Sequence, residues 1–147
     1  MKLSYQFNSI QGEINLPASK SISNRVLMIQ ALCDDSFEIH NLSSANDTLL
    51  LQHILRELNN GEPSVLVDVH DAGTPYRFLL PYLAMQEGRK FILKGTERLH
   101  ERPIEPLVNA LNELGAEITY LDKHGYAPLQ IVGQKLSGGS EIGRASC

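Results

Sequence analysis

The sequence predicts an α/β (α+β) fold, on three observations. Segments with helical periodicity alternate with short Val-, Ile- and Phe-bearing segments of strand character. One α-β-α-β succession occurs twice, starting at Ser19 and again at Gly73, with Arg25-Val26-Leu27-Met28 aligning on Arg77-Phe78-Leu79-Leu80. Finally, 147 residues suffice for one domain that buries about 68–70% of its unfolded surface.

In chain order, Leu3–Asn8 and Glu13–Leu16 are expected as short strands, the second closed by Pro17. Ser19–Leu32 is expected as a helix with Ile22, Val26, Ile29 and Cys33 on its apolar face, Cys33 being a small core residue. Phe37–Asn41 alternates as a strand does. Asn46 or Asp47 can cap a second helix whose buried face is Leu50, Leu51, Ile54, Leu55 and Leu58. Asn60-Gly61 ends it, and the Val-rich Ser64–Val69 follows as a strand. The succession then recurs as helix Thr74–Met85, strand Lys90–Lys94 and helix Pro103–Leu114, with Gly115 just past the helix end. Ala116–Leu121 and Leu129–Val132 are the last strands, joined through Lys123-His124-Gly125. The expected organisation is one partial domain over 1–136, in units of about 12–70 and 71–134, and a disordered or vector-derived tail over 137–147.

Composition excludes several classes. Hydrophobic residues at 42% and charged residues at 20% are those of a globular chain. No apolar run approaches a membrane span and the N-terminus lacks a secretory pattern, so no membrane partner is expected. Two cysteines cannot build a disulfide framework, which points to a reducing, cytoplasmic location. A net charge of −4 argues against a nucleic-acid partner, so an anionic ligand must be held by a few placed cations. The five histidines lack metal-site spacing, and no metal is expected.

Three segments bring such cations to predicted helix starts. In Ser19-Lys20-Ser21-Ile22-Ser23-Asn24-Arg25, Ser19 or Ser21 can cap the helix, Lys20 adds a point charge, and Arg25 lies one turn on beside Ser21. In Asp71-Ala72-Gly73-Thr74-Pro75-Tyr76-Arg77, Gly73 permits close backbone approach, Thr74 can cap, Pro75 suits the first helical position, and Arg77 repeats Arg25. In His100-Glu101-Arg102-Pro103-Ile104, Pro103 opens the helix and Arg102 stands just before it. Each segment alone also fits an ordinary capped helix with solvated charges, and Arg102 can pair with Glu101 or Glu105. Convergence of the three makes an anion cradle of N–H donors, hydroxyls and guanidinium forks.

These segments also resemble a known family. Leu16-Pro17-Ala18-Ser19-Lys20-Ser21-Ile22-Ser23-Asn24-Arg25 is similar to the Leu-Pro-Gly-Ser-Lys-Ser-x-Ser-Asn-Arg signature of the 5-enolpyruvylshikimate-3-phosphate synthases. Asp71-Ala72-Gly73-Thr74 with Arg77 resembles their Asn-Ala-Gly-Thr-x-x-Arg segment, and Glu101-Arg102-Pro103-Ile104 their Glu-Arg-Pro-Ile helix. Order and spacing agree over nearly all of residues 10–135. The resemblance implies the enolpyruvyl transferase fold of repeated βαβαββ units, here about two units of one domain, and no cofactor. It implies two small-molecule substrates, shikimate 3-phosphate and phosphoenolpyruvate, and transfer of the enolpyruvyl group to the 5-hydroxyl with release of phosphate, a step of the shikimate pathway of aromatic amino-acid biosynthesis. It assigns Lys20, Gly73 and Arg102 to phosphoenolpyruvate, Lys20, Ser21, Arg25 and Thr74 to shikimate 3-phosphate, and Asp71 and Arg77 to pocket support.

The family is about three times as long, and its Ser-Ser-Gln motif and the acid/base groups of its second domain are not found here. The chain is therefore expected to be a cut-down form, binding anions but inactive alone. The complete protein is expected to be a monomer, and the shorter chain to favour self-association through apolar surface meant for a third unit. Within the motifs, Asp71 replaces the usual Asn. A carboxylate about 4 Å from an anion costs on the order of 4 kcal/mol at an effective dielectric near 20, so Asp71 is expected to turn toward Arg77 or Lys20 or else to weaken binding. Pro75 removes one N–H from a helix start, and Phe78 replaces a Pro, reshaping the wall behind Gly73. The competing readings are a UDP-N-acetylglucosamine enolpyruvyl transferase and a non-catalytic phosphate-binding module.

Overall fold

The computed structural model describes residues 11–35, 37–137 and 139. The helices are α1 (Lys20–Leu32), α2 (Asn46–Leu58), α3 (Gly73–Ala84), α4 (Glu97–His100) and α5 (Glu105–Glu113). The strands are β1 (Ser64–Asp68), β2 (Lys90–Lys94), β3 (Glu117–Tyr120) and β4 (Leu129–Val132), in one sheet of order β1-β2-β4-β3. β1 and β2 are parallel, joined by the crossover helix α3, whereas β4 pairs antiparallel with both β2 and β3.

Alternation along the strands sends Val67, Phe91, Leu93, Ile118, Leu129 and Ile131 inward, where they meet Tyr76, Leu79, Leu80 and Leu83 of α3. The opposite face carries the register partners Leu66 and Ile92, both exposed. The leucine-rich face of α2 is buried as its period requires, with Leu51, Ile54, Leu55 and Leu58 inside and Leu50 half-buried. Asp47 in its first turn and Arg56 in its last complement the helix dipole, and Gly61, at φ 72°, turns the chain out of it. Strands β2 and β4 coincide with the predicted spans.

Several expectations are corrected. Residues 13–16 form no strand; Ile14 and Leu16 are exposed, and no strand runs beside them among the described residues. Phe37–Asn41 forms none either: Asn41 sits at φ 57°, and alternation alone supplies no ladder partner. The strand expected over Leu3–Asn8 lies outside the described residues.

Helix α1 forms as predicted, with Ser19 capping Ile22 N–H at 3.4 Å, but it turns the other way. Ile22 and Ile29 are 65% and 54% exposed, Cys33 is exposed rather than in the core, and the buried residues are Ser23, Asn24 and Leu27. The reason is a hydrogen-bonded polar seam. Ser23 Oγ accepts the Ser43 N–H at 2.9 Å, and Asn24 Oδ1 accepts the Thr48 hydroxyl at 2.8 Å. These bonds offset the burial of the groups that make them, although Asn24 Nδ2 is buried with no partner among the described residues, and the isoleucines are left outside the interface.

The second half is also adjusted. α3 begins at Gly73 with Ala72 as its N-cap, so Thr74 does not cap and Pro75 is the third helical residue. The short α4 was absent from the sequence pattern. Pro103 does not open α5, which starts at Glu105 with Pro106 in its first turn. Gly115, at φ 97°, follows the Leu114 C-cap as predicted. Ser137 is tied back to Leu114 O through its N–H (2.9 Å) and hydroxyl (3.0 Å); most of the expected tail lies outside the described residues.

Candidate anion-binding site

The fold brings all three predicted segments to one cavity of about 650 Å³. Helix α1 contributes Lys20, Ser21, Asn24 and Arg25, and α2 contributes Asp47. The turn after β1 and the start of α3 contribute Asp71, Gly73, Thr74, Arg77 and Phe78, and the loop between α4 and α5 contributes Arg102. Two of the three routes are dictated by the parallel pair: the chain leaving β1 delivers Gly73, and the chain leaving β2 delivers Arg102. All eight residues singled out in the sequence line this cavity.

The two helix starts share one local design. Arg25 Nη1 donates back to Ser21 O at 2.9 Å and also to the Ser21 hydroxyl. Arg77 Nη1 donates back to Gly73 O at 3.4 Å, the same four-residue step. Arg77 Nη2 reaches on to Pro103 O at 3.2 Å, fastening the α3 start to the segment that carries Arg102. Gly73 permits a close approach of Arg102, because a methyl group there would lie 2.5 Å from Arg102 Nη1, the flexible end of that side chain, and 3.6 Å from Arg77 Nη1. The Arg25 guanidinium lies 5.9 Å from the centre of the Phe78 ring, so the residue that departs from the family pattern forms a shelf between α1 and α3.

First-turn N–H groups of both helices, notably at Lys20, Ser21, Gly73 and Thr74, are not consumed by helix bonds. Pro75 contributes none. Lys20 Nζ pairs with Asp47 Oδ2 at 3.1 Å, while Arg25, Arg77 and Arg102 form no ion pair among the described residues. Arg102 is therefore not engaged by Glu101 or Glu105. Asp71 accepts a hydrogen bond from the Thr96 hydroxyl, not from Arg77 or Lys20, which corrects the orientation expected for it. Four cations against two carboxylates, with two helix dipoles, make a basin for a multiply charged anion.

Sequence reasoning took Asn46 or Asp47 as the cap of α2, whose N-cap is instead Ala45 with no side-chain bond, and gave neither Asp47 nor Asn24 a place in the site. Asn24 is four residues from Lys20 and could have been placed by helical spacing; Asp47 is distant in sequence from Lys20, and its local signal concerned only the start of α2. Among the described residues no group of three or more His, Cys, Asp or Glu is placed to hold a metal ion.

Fold and site together define a two-layer α/β protein that gathers cations and unconsumed N–H groups at two helix starts. A family profile described as EPSP synthase (3-phosphoshikimate 1-carboxyvinyltransferase) matches residues 5–65 and 59–143. The chain belongs to the EPSP synthase family. A 3-phosphoshikimate 1-carboxyvinyltransferase of Bacteroides fragilis is 47% identical over 135 residues, covering 92% of this chain and 31% of that protein. The Sulfurovum sp. enzyme of the same name is 39% identical over 151 residues, covering 88% of this chain and 35% of its own length. EPSP synthase from Acinetobacter baumannii superposes with a TM-score of 0.79 over 89% of this chain and 34% of that one, at 22% identity, a likeness of fold. This chain thus spans about a third of the length of the curated relatives it matches.

Proposed function

We propose that the protein to which this chain corresponds transfers the enolpyruvyl group of phosphoenolpyruvate to the 5-hydroxyl of shikimate 3-phosphate, and that this chain supplies the anion-clamping part of the site. In that reaction the 5-hydroxyl gives up its proton as its oxygen bonds to C2 of phosphoenolpyruvate, and C3 takes a proton as the C2–C3 double bond is lost. The C2–O bond to phosphorus-bearing oxygen then breaks, C3 returns a proton, and inorganic phosphate leaves. Lys20, Arg102 and the Gly73 N–H take phosphoenolpyruvate; Lys20, Ser21, Arg25 and Thr74 take the phosphate of the sugar acid. Arg77 supports the wall through its bonds to Gly73 O and Pro103 O, and Asp71 supports it through Thr96.

The convergence of Lys20, Arg25, Arg77 and Arg102 on one cavity carries this reading. Charge-assisted hydrogen bonds are worth roughly 1.5–3 kcal/mol each, enough for four cations to dominate the binding of a dianion. Among the described residues the cavity is lined by no histidine and its two carboxylates are engaged by Lys20 and Thr96, which supports a chain that binds the anions and needs acid/base groups from elsewhere in the protein for turnover. No helix among the described residues is long and apolar enough to cross a membrane.

Calorimetry of the 147-residue chain with shikimate 3-phosphate, UDP-N-acetylglucosamine and inorganic phosphate, each alone, tests the assignment. Shikimate 3-phosphate is expected to bind tightest, and Arg25→Met to weaken it about tenfold or more. Preference for the nucleotide sugar, or indifference to Arg25→Met, contradicts it.

A further inference from the structure

Lys20 differs from the other cations of the cavity in being ion-paired already. It stands at the first position of α1, its side chain is 51% exposed, and its ammonium meets Asp47 Oδ2 at 3.1 Å. Nothing local places these two groups together. Their meeting is set by the seam between α1 and α2, where Asn24, Thr48, Ser23 and Ser43 are all buried and joined by the 2.8 Å and 2.9 Å hydrogen bonds. Thr48 directly follows Asp47, so the seam that locks α2 against α1 also fixes the carboxylate beside the cavity.

We propose that Asp47 is a positioning residue for anion capture, holding the Lys20 ammonium at the cavity so that a phosphate meets it already oriented. The role rests on the anion-site reading given above. An ammonium has three N–H donors; Asp47 takes one and leaves two for phosphate oxygens, so the ion pair persists when the ligand arrives. A long lysine chain loses much rotamer freedom when it clamps a ligand, and a carboxylate that restrains it beforehand lowers that loss. The alternative role for Asp47 is electrostatic support of α2, whose N-cap Ala45 contributes no side-chain bond. That role would act on the helix and not through Lys20.

A double-mutant cycle separates the two, read as the affinity of the full 147-residue chain for inorganic phosphate, with thermal unfolding as a check on folding. Lys20→Met is expected to weaken binding about tenfold. Asp47→Asn is expected to weaken it about three- to fivefold, and Asp47→Glu to restore it to within about twofold. In the Lys20→Met background, Asp47→Asn should weaken phosphate binding no further. An equal loss in both backgrounds, or tighter binding by Asp47→Asn alone, overturns the role of Asp47 while leaving the anion site intact. Absence of phosphate binding, or Lys20→Met binding as well as the unsubstituted chain, overturns the anion-site reading and this role with it.

Discussion

Helices α1 and α3 both place an arginine one turn in, bond it back to the carbonyl four residues earlier, and open on the same cavity. Their support is of opposite kinds. α3 is embedded, with Tyr76, Leu79, Leu80 and Leu83 fully buried against the sheet. α1 buries two polar residues and one leucine, leaves its isoleucines outside, and is located by the hydrogen bonds of Ser23 and Asn24. One half of the site is set by apolar packing and the other by a polar seam. Packing fixes a helix wherever its apolar face fits, whereas hydrogen bonds also fix its rotation and register, which suits a helix that must deliver Lys20 to Asp47.

The largest effects should fall on the packed side. Leu79→Ala is expected to lower unfolding free energy by about 2–5 kcal/mol, whereas Ile29→Ala on the outer face of α1 should change it by about 0.5 kcal/mol or less. Urea unfolding of both variants checks this; equal losses would break the contrast. Thr48→Val tests the seam: it leaves Asn24 buried with an unpaired oxygen and should cost about 1–3 kcal/mol in the same measurement. Gly73→Ala probes the close approach on the α3 side. The intruding methyl meets only the flexible end of Arg102, so stability should hold while phosphate affinity falls about tenfold, near 1.4 kcal/mol. Ser21→Ala, at the matching step of α1, introduces no such clash and should lose less.

The smallest effect lies at the end of β1. Burial pushes the Asp68 carboxyl up, but the His70 N–H at 2.8 Å and the Lys94 ammonium at 3.3 Å outweigh it and hold the group below its ordinary value. A lowered carboxylate contributes stability above its unfolded value of about 3.9, and the contribution is lost as pH falls through the folded value. Asp68→Asn should therefore cost about 0.5 kcal/mol at pH 7, given the group's exposure, and progressively less as pH falls below the unfolded value, as thermal unfolding across that pH range would show.

What the sequence made legible follows the same division. Helix α2, strands β2 and β4, and the glycines after α2 and α5 were readable because apolar period and turn chemistry are local. The cavity cations were readable because helix starts announce themselves through Ser, Gly and Pro beside a basic residue. The orientation of α1 was not, since a stripe of Ile22 and Ile29 reads as a buried face and the partners that bury Ser23 and Asn24 come from the α2 approach. Phe37–Asn41 misled because alternation does not supply a neighbouring strand, and Pro103 misled because α5 starts at Glu105, with Pro106 as the proline of its first turn. Asp47 and the Asp71–Thr96 contact join residues far apart in sequence, where no spacing rule reaches.

The account stands on Lys20, Arg25, Arg77 and Arg102 serving one ligand. Titrating the isotope-labelled chain with inorganic phosphate and following its backbone amides by NMR tests this most directly. Lys20 and Ser21 on α1 should shift together with Gly73 and Thr74 on α3, all fitting a single dissociation constant. Shifts confined to one helix start, or two different constants for the two, would contradict it.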